Sequence, residues 1–183
     1  MILSDKTIRK YLKSKKIIIL PNPKAGDFKS CGVKLHLGSE VLVPKPGQKI
    51  DLNDPKKIIF TKKPIPPKGY ILKSGAFILV STLQRYKFST KLVGMLDGRS
   101  SLARVGLTIH GTSQMVEEDN RDPHVITLEI KNQGPFDLIL HAGMQIGMLC
   151  FFEMTTSASE DLKFNYAHQH SALPPDPKAL KQK

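Results

Sequence analysis

The chain has 183 residues, and its 28 Lys and Arg against 16 Asp and Glu give a formal net charge of +12. This length suits one domain with its own core, and the charge favours a polyanionic partner such as a nucleotide, although clustered lysines are more typical of a solvated surface than of nucleic-acid binding. No segment has the apolar length of a membrane span or a signal peptide, so we expect neither, and two cysteines are too few for a disulfide framework.

The first third of the chain predicts one helix followed by strands. Ser4 can cap a short amphipathic helix over residues 5–14. Runs of β-branched residues, or apolar residues alternating with polar ones, predict strands over residues 17–20, 33–37 and 41–43. Residues 45–68 are rich in Pro and Lys, so we predict a surface excursion between strands there.

Short apolar segments separated by turn residues follow from Tyr70 onward. The predicted strands are residues 70–72, 77–80, 82–86, 92–96, 107–109, 125–130, 136–140 and 145–152. This spacing is typical of an all-β sandwich or barrel. After about residue 155 apolar residues become rare and prolines appear, which predicts a barrel domain over residues 1–155 and a mobile C-terminal tail over 156–183.

Residues 97–106, with the sequence Asp-Gly-Arg-Ser-Ser-Leu-Ala-Arg-Val-Gly, carry the strongest chemical signal. The guanidinium groups of Arg99 and Arg104 flank two serine hydroxyls, and all four groups can donate to phosphate or carboxylate oxygens. Glu129 adds a carboxylate on a second predicted strand, so the set is typical of a nucleotide-processing site. The alternative is a helical turn with solvated arginines and Ser100 as its cap.

The order of several motifs resembles the dCTP deaminase family, within the superfamily of dCTP deaminases and trimeric dUTPases. The motifs are residues 1–5, 72–77 with Thr82, 97–107, 127–130, 142–147 and 166–169, and they span nearly the whole chain. Residues 97–107 match the central motif of the family almost residue for residue. The resemblance implies a distorted β-barrel of the dUTPase-like, β-clip kind with a short N-terminal helix, and a homotrimer with active sites shared between neighbouring subunits.

The same resemblance implies a hydrolytic, zinc-independent deamination of dCTP to dUTP and ammonia in the cytoplasm, as part of dUTP and dTTP synthesis. Glu129 would be the general base, Ser100 would help to hold the attacking water, and Arg104 would orient Glu129. The nucleotide, which is dCTP, dUTP or dTTP, would be bound by Arg99, Ser101, Ser113, Glu117, Tyr166 and Gln169. Magnesium would be carried by the triphosphate.

Three features depart from the family pattern and affect nucleotide selectivity. Residues 115–124 replace a glycine-rich hairpin by a longer segment, in which Glu117 takes the place of the acid and its longer side chain would shift a contact with the deoxyribose. Asn165 replaces a phosphate-binding lysine, with Lys163 nearby as a substitute. Val33-Lys34 stands where the family carries Tyr-Asp before its Val.

These departures leave two alternative functions open. The first is hydrolysis of dUTP, alone or with deamination, in which Glu117 or Asp119 would activate water against the α-phosphate. The second is a catalytically silent nucleotide-binding regulator. The presence of Glu129, Ser100 and Arg104 together argues against the second, because a pure binding protein has no use for a general base.

Overall fold

A computed structural model describes residues 1–117, 122–159, 166 and 169–181, and in these ranges the chain is mostly β-structure. The helices are α1 (Asp5–Lys13), α2 (Ser100–Ala103) and α3 (Pro177–Leu180), and a 3₁₀ turn covers Ala25–Asp27. The strands are β1 (Ile17–Leu20), β2 (Phe28–Lys29), β3 (Gly32–Pro44), β4 (Phe60–Pro64), β5 (Tyr70–Leu72), β6 (Phe77–Thr82), β7 (Arg85–Phe88), β8 (Leu92–Gly98), β9 (Leu107–Thr108), β10 (Met115–Val116), β11 (Thr127–Asn132), β12 (Leu138–Leu140) and β13 (Gln145–Glu153). None of the helices in these ranges is long and apolar enough to cross a membrane.

The main sheet curls into a half-barrel around strand β3. Its strand order is β10-β8-β13-β3-β6-β11-β9, and β2 and β4 also pair with β3. The first half of β3 pairs with β13 and the second half with β6, with a register shift between Leu37 and Val41. Such an irregularity bends a strand and increases its twist, so β3 can belong to both walls. The ribbons β1–β7 and β5–β12 complete the fold.

Helix α1 and the strand alternation follow the sequence closely. The predicted helix is confirmed, because Ser4 caps α1 by accepting a hydrogen bond from the Thr7 backbone N–H at 3.4 Å, and Ile8 is buried against the core. Alternate residues of β6 and β11 point inward, and Val80, Leu128 and Ile130 are among the fully buried residues. The core is therefore aliphatic and lies inside the curled sheet.

Three predicted elements differ from the structure. Residues 82–86 are not one strand, because the Thr82 hydroxyl donates to the Gln84 carbonyl at 2.7 Å and closes a turn between β6 and β7. The separate strands predicted at 33–37 and 41–43 are one strand, β3. The excursion at 45–68 contains β4, which returns to pair with the end of β3.

The two cysteines are distant in sequence but close in the fold. Strand β13 places Cys150 opposite Gly32, next to Cys31, and both thiols are free. Burial and the neighbouring Cys31 thiol raise the pKa of Cys150 to about 12, with a further contribution from Asp97. Cys150 is therefore a protonated thiol of low reactivity near neutral pH.

Tyr86 carries a buried hydroxyl that has no hydrogen-bond partner among the described residues. Its side chain is 1% exposed, and burial, together with the charge of Asp27, raises its pKa well above the ordinary value. We expect Tyr86→Phe to leave the free energy of unfolding unchanged or to raise it by up to about 1 kcal/mol, because the hydroxyl has lost its water contacts without replacement. Urea denaturation of both proteins measures this change.

Thr82→Val is the matched control, because this buried hydroxyl has partners. It donates to the Gln84 carbonyl and accepts from the Ile126 N–H at 3.0 Å. Its removal is expected to lower the free energy of unfolding by roughly 1–3 kcal/mol. If Tyr86→Phe lowered the free energy of unfolding by a similar amount, the Tyr86 hydroxyl would have a hydrogen-bond partner in solution.

Candidate active site

A cavity of about 820 Å³ lies against the outer face of strands β6 and β11. Its wall includes residues of the segment between β3 and β4, of β10 and the loop before it, and of the C-terminal segment. A cavity of this volume suits a small-molecule ligand of the size of a nucleotide.

Strand geometry places Glu129 on the wall of this cavity. The neighbours Leu128 and Ile130 are fully buried in the core, so the residue between them emerges on the opposite face. Glu129 pairs in register with Leu79 of β6, which also lines the cavity. Glu129 and its apolar flanks therefore face opposite sides of the sheet.

Among the described residues, the Glu129 carboxylate is held by one backbone contact, which leaves an oxygen for a ligand. The N–H of Gly111 donates to Oε2 at 3.3 Å, and Glu129 is half-buried. Leu79 beside it is 5% exposed, so one side of the carboxylate is apolar. An oriented carboxylate in a partly dry cavity can take a proton from water and return it to a leaving group.

Gln169 is already packed on the cavity wall. It is 8% exposed, and its carbonyl oxygen accepts from the Val125 N–H at 3.0 Å. The Thr127 hydroxyl donates to Gln169 Oε1 at 2.6 Å, and Gln169 Nε2 donates to the Tyr166 carbonyl at 2.9 Å. Its amide is therefore paired within the protein, and binding of a nucleotide through this amide requires an exchange of partners.

Three other residues predicted to bind the nucleotide also line the cavity. Ser113, Glu117 and Tyr166 are exposed residues of its wall. The hydroxyl of Tyr166 accepts a hydrogen bond from the Asp176 N–H at 3.3 Å, just before α3, a short helix that the sequence did not indicate. Asp119, Lys163 and Asn165 lie outside the described residues, and the mobility of the tail remains a prediction.

The central motif lies away from this cavity in the single chain. Arg99, Ser100, Ser101 and Arg104 are all exposed, and none of them lines the cavity. The motif forms a helical turn with exposed arginines, as the alternative interpretation of the sequence predicted. The predicted cap is wrong, because Arg99 occupies the N-cap position and Ser100 is the first helical residue. One chain therefore does not bring Arg104 or Ser100 to the cavity that contains Glu129.

Gly106 fixes the position of this turn. It has φ of +82°, and a Cβ atom there would lie 2.2 Å from the backbone nitrogen of Gly134. Only glycine permits both the left-handed conformation and this close approach. The motif is thereby anchored to the turn after β11 while its arginines remain at the surface.

Sequence reasoning missed two polar cavity residues on the β11 side, Thr127 and His124. Thr127 lies two residues before Glu129, so the period of the strand could have placed it on the same face. His124 also lines the cavity, but it belongs to the segment that departs from the family pattern and gave no signal of its own. Within the described ranges, no group of three His, Cys, Asp or Glu side chains could hold a metal ion.

Comparison with known proteins identifies relatives along most of the chain. Residues 2–154 match the family model described as dCTP deaminase-like. The dCTP deaminase of Buchnera aphidicola subsp. Schizaphis graminum is 37% identical over 166 residues, which cover 82% of this chain and 83% of the relative. A dUMP-forming dCTP deaminase of Methanobrevibacter smithii is 34% identical over 175 residues, covering 93% and 88% of the two chains.

A solved structure shows the same fold. The 2′-deoxycytidine 5′-triphosphate deaminase of Agrobacterium tumefaciens matches with a TM-score of 0.62 at 17% identity. The match covers 82% of this chain and 47% of that longer chain. The predicted all-β, dUTPase-like architecture with a short N-terminal helix is confirmed.

Proposed function

The chain belongs to the dCTP deaminase family, and on that premise we propose that it is an enzyme that hydrolyses the 4-amino group of dCTP to give dUTP and ammonia. The observation that carries the proposal is the position of Glu129, oriented by Gly111 on the wall of a nucleotide-sized cavity. The reaction supplies dUTP for pyrimidine deoxynucleotide synthesis, and we place it in the cytoplasm.

Glu129 acts as the proton carrier in this mechanism. Its free oxygen takes a proton from a water molecule, and the resulting hydroxide attacks C4 of the cytosine. The attack moves the electron pair of the C4=N3 bond to N3. Glu129 then returns its proton to the 4-amino group, ammonia leaves as the C4=N3 bond re-forms, and the resulting 4-hydroxy tautomer rearranges to uracil. A positioned carboxylate typically contributes about 10²–10⁴-fold to such a step, and the remainder comes from positioning and fixed hydrogen-bond donors.

A homotrimer with sites between subunits supplies the groups that one chain lacks at its cavity. Lys45 is the only Lys or Arg among the described residues of the cavity wall, and two carboxylates share that wall. A triphosphate needs more positive charge than this. The exposed motif of a neighbouring subunit provides it: Arg99 and Ser101 bind phosphate, Ser100 holds the water, and Arg104 orients Glu129.

We predict that deamination needs no transition metal. Magnesium enters as part of the substrate, on the phosphate oxygens of the nucleotide. EDTA is therefore expected to lower ammonia release until Mg²⁺ is restored, whereas a zinc-selective chelator leaves the rate with Mg²⁺ unchanged. Metal analysis of the purified protein, together with the two chelator titrations, tests this. Stoichiometric zinc that is required for turnover would contradict it.

Release of pyrophosphate is the second candidate activity. A relative that is 34% identical is a dUMP-forming enzyme, and Glu117 on the cavity wall is a carboxylate that can activate water against the α-phosphate. In this case dCTP gives ammonia, pyrophosphate and dUMP in one site.

The assay that tests the proposed function measures two products separately. The protein is incubated with Mg²⁺ and either dCTP or dUTP, and ammonia and pyrophosphate are quantified. Ammonia without pyrophosphate supports the deaminase, both products from dCTP support the bifunctional enzyme, and pyrophosphate from dUTP alone supports a dUTP diphosphatase. Binding of nucleotide without any product would leave only the silent regulator.

A further inference from the structure

One side of the cavity wall is mainly apolar, and the other side, called the polar side below, carries most of the polar side chains. On the side of β3 it is formed mainly by apolar residues such as Pro44, Ile50, Ile58 and Phe60. On the side of β11 it carries Glu117, His124, Thr127, Glu129, Tyr166 and Gln169, among apolar residues such as Val116, Val125 and Ile126. The base and sugar of a nucleotide carry several hydrogen-bonding groups, so they belong on the polar side.

His124 is held rigidly on this polar side. The Tyr86 N–H donates to the His124 carbonyl at 2.8 Å, and the His124 N–H donates to the Tyr86 carbonyl at 3.0 Å. Tyr86 itself is buried, and Val125, the residue after His124, donates its N–H to the Gln169 carbonyl oxygen. The backbone of His124 is thus fixed from both directions, and this half-buried residue belongs to a preorganised part of the wall.

The contact of the ring with the backbone assigns the roles of its two nitrogens. Nδ1 lies 3.3 Å from the carbonyl oxygen of Asp122. A carbonyl oxygen can only accept, so Nδ1 carries a hydrogen in this contact, and the tautomer that fits the contact leaves Nε2 as an acceptor. An acceptor matches a hydroxyl donor and repels phosphate oxygens. The carboxylates of Glu117 and Glu129 on the same side further disfavour phosphate there.

We infer that Nε2 of His124 accepts a hydrogen bond from the 3′-hydroxyl of the deoxyribose and makes His124 a specificity-determining residue. The inference rests on the proposed function, which places C4 of the base at Glu129. His124 stands five residues before Glu129, a span of at most about 16 Å along extended backbone. Thr127 lies between them with its hydroxyl paired to Gln169, so His124 meets the part of the nucleotide beyond the base. The 3′-hydroxyl is the only free hydroxyl of a deoxynucleoside 5′-triphosphate.

The test compares dCTP with 2′,3′-dideoxycytidine 5′-triphosphate, which differs from dCTP only by the missing 3′-hydroxyl. Both are titrated by calorimetry into the Glu129→Gln protein, in which binding is measured without turnover, and into the same protein carrying His124→Phe. We expect the dideoxy compound to bind about tenfold more weakly than dCTP to the Glu129→Gln protein. The ratio of the two dissociation constants is expected to fall to within about twofold when His124→Phe is added, because Phe has no acceptor.

Three further proteins separate a specific contact from a general loss of binding. His124→Asn restores an acceptor and is expected to recover part of the ratio. His141→Phe, which changes an exposed histidine outside the cavity, is expected to keep the full ratio. Glu117→Gln changes the other residue that could contact the deoxyribose, and it tests whether Glu117 makes the contact with the 3′-hydroxyl instead. If the ratio is unchanged in His124→Phe, or disappears in Glu117→Gln instead, the inference is wrong.

An independent measurement covers the case in which His124→Phe does not fold. The nitrogen shifts of the His124 ring are followed by NMR in the otherwise unmodified Glu129→Gln protein as each nucleotide is added. A shift of Nε2 with dCTP but not with the dideoxy compound supports the contact, and equal shifts overturn it. Failure of the proposed function would be recognised separately, as the absence of ammonia release from dCTP by the unmodified protein.

Discussion

Replacing Glu129 with Gln is expected to lower the rate of ammonia release from dCTP by roughly 10²-fold or more, while the affinity for dCTP stays nearly unchanged. Gln keeps the shape of the side chain, and its amide oxygen can still accept from the Gly111 N–H, as Oε2 of Glu129 does at 3.3 Å. It cannot take a proton from water. The rate constant from an ammonia assay and the dissociation constant from calorimetry test the two halves of this expectation.

Glu153→Gln is the matched control for this substitution. Glu153 is also a strand carboxylate, at the end of β13, but it contacts Lys91 at 3.7 Å and lies outside the cavity. The same loss of charge there is expected to leave deamination unchanged. If the Glu129→Gln protein deaminated dCTP at the rate of the unmodified protein, Glu129 would not be the general base and the mechanism would be wrong.

The parts of the fold that follow from local sequence are those that sequence reasoning predicted. Ser4 before α1 and the alternation around Glu129 act through neighbours in the chain, so the pattern alone indicates both. The sequence predicted a break between residues 37 and 41, but Gly38 lies inside β3, where a Cβ atom would approach the Ser81 carbonyl oxygen within 2.8 Å. The need for glycine there comes from β6, which the local sequence of β3 does not reveal.

Strand β4 was not predicted from the sequence, for a related reason. Its residues Thr61, Lys62, Lys63 and Pro64 are exposed, so no alternation of apolar and polar residues marks the strand. It is held by backbone pairing with β3 and by an ion pair between Lys62 and Glu40 at 2.6 Å. Pairing that depends on a distant edge is invisible in a local pattern.

In the candidate site, too, some features follow from the local sequence and others depend on distant parts of the chain. The residue types of the central motif and of Glu129 indicate their chemistry, but the sequence does not say that Ser100 and Arg104 lie away from the cavity of their own chain. Nor does it show that Thr127 pairs with Gln169, 42 residues later. These relations depend on how β8, β11 and the C-terminal segment are arranged in space.

Because the central motif lies away from the cavity of its own chain, we expect a second large effect in assemblies that combine two different inactive variants. Glu129→Gln and Arg104→Ala are each expected to be nearly inactive alone. If a site combines Glu129 of one subunit with Arg104 of its neighbour, random mixing in equal amounts restores about a quarter of the activity of the unmodified protein, because one arrangement in four has both residues intact. The two proteins are dissociated, mixed and reassembled, and ammonia release is measured after light scattering has established the trimer.

The control for this experiment replaces the Arg104→Ala protein with one that carries both substitutions. A mixture of that double variant with Glu129→Gln contains no intact Glu129, so no site can be restored, and any activity above background would come from contamination. Recovery in the first mixture alone therefore requires that the two residues act from different subunits. If the first mixture stayed as inactive as its components while forming trimers, each site would be complete within one chain, and the exposed position of Arg104 would have to change when nucleotide binds.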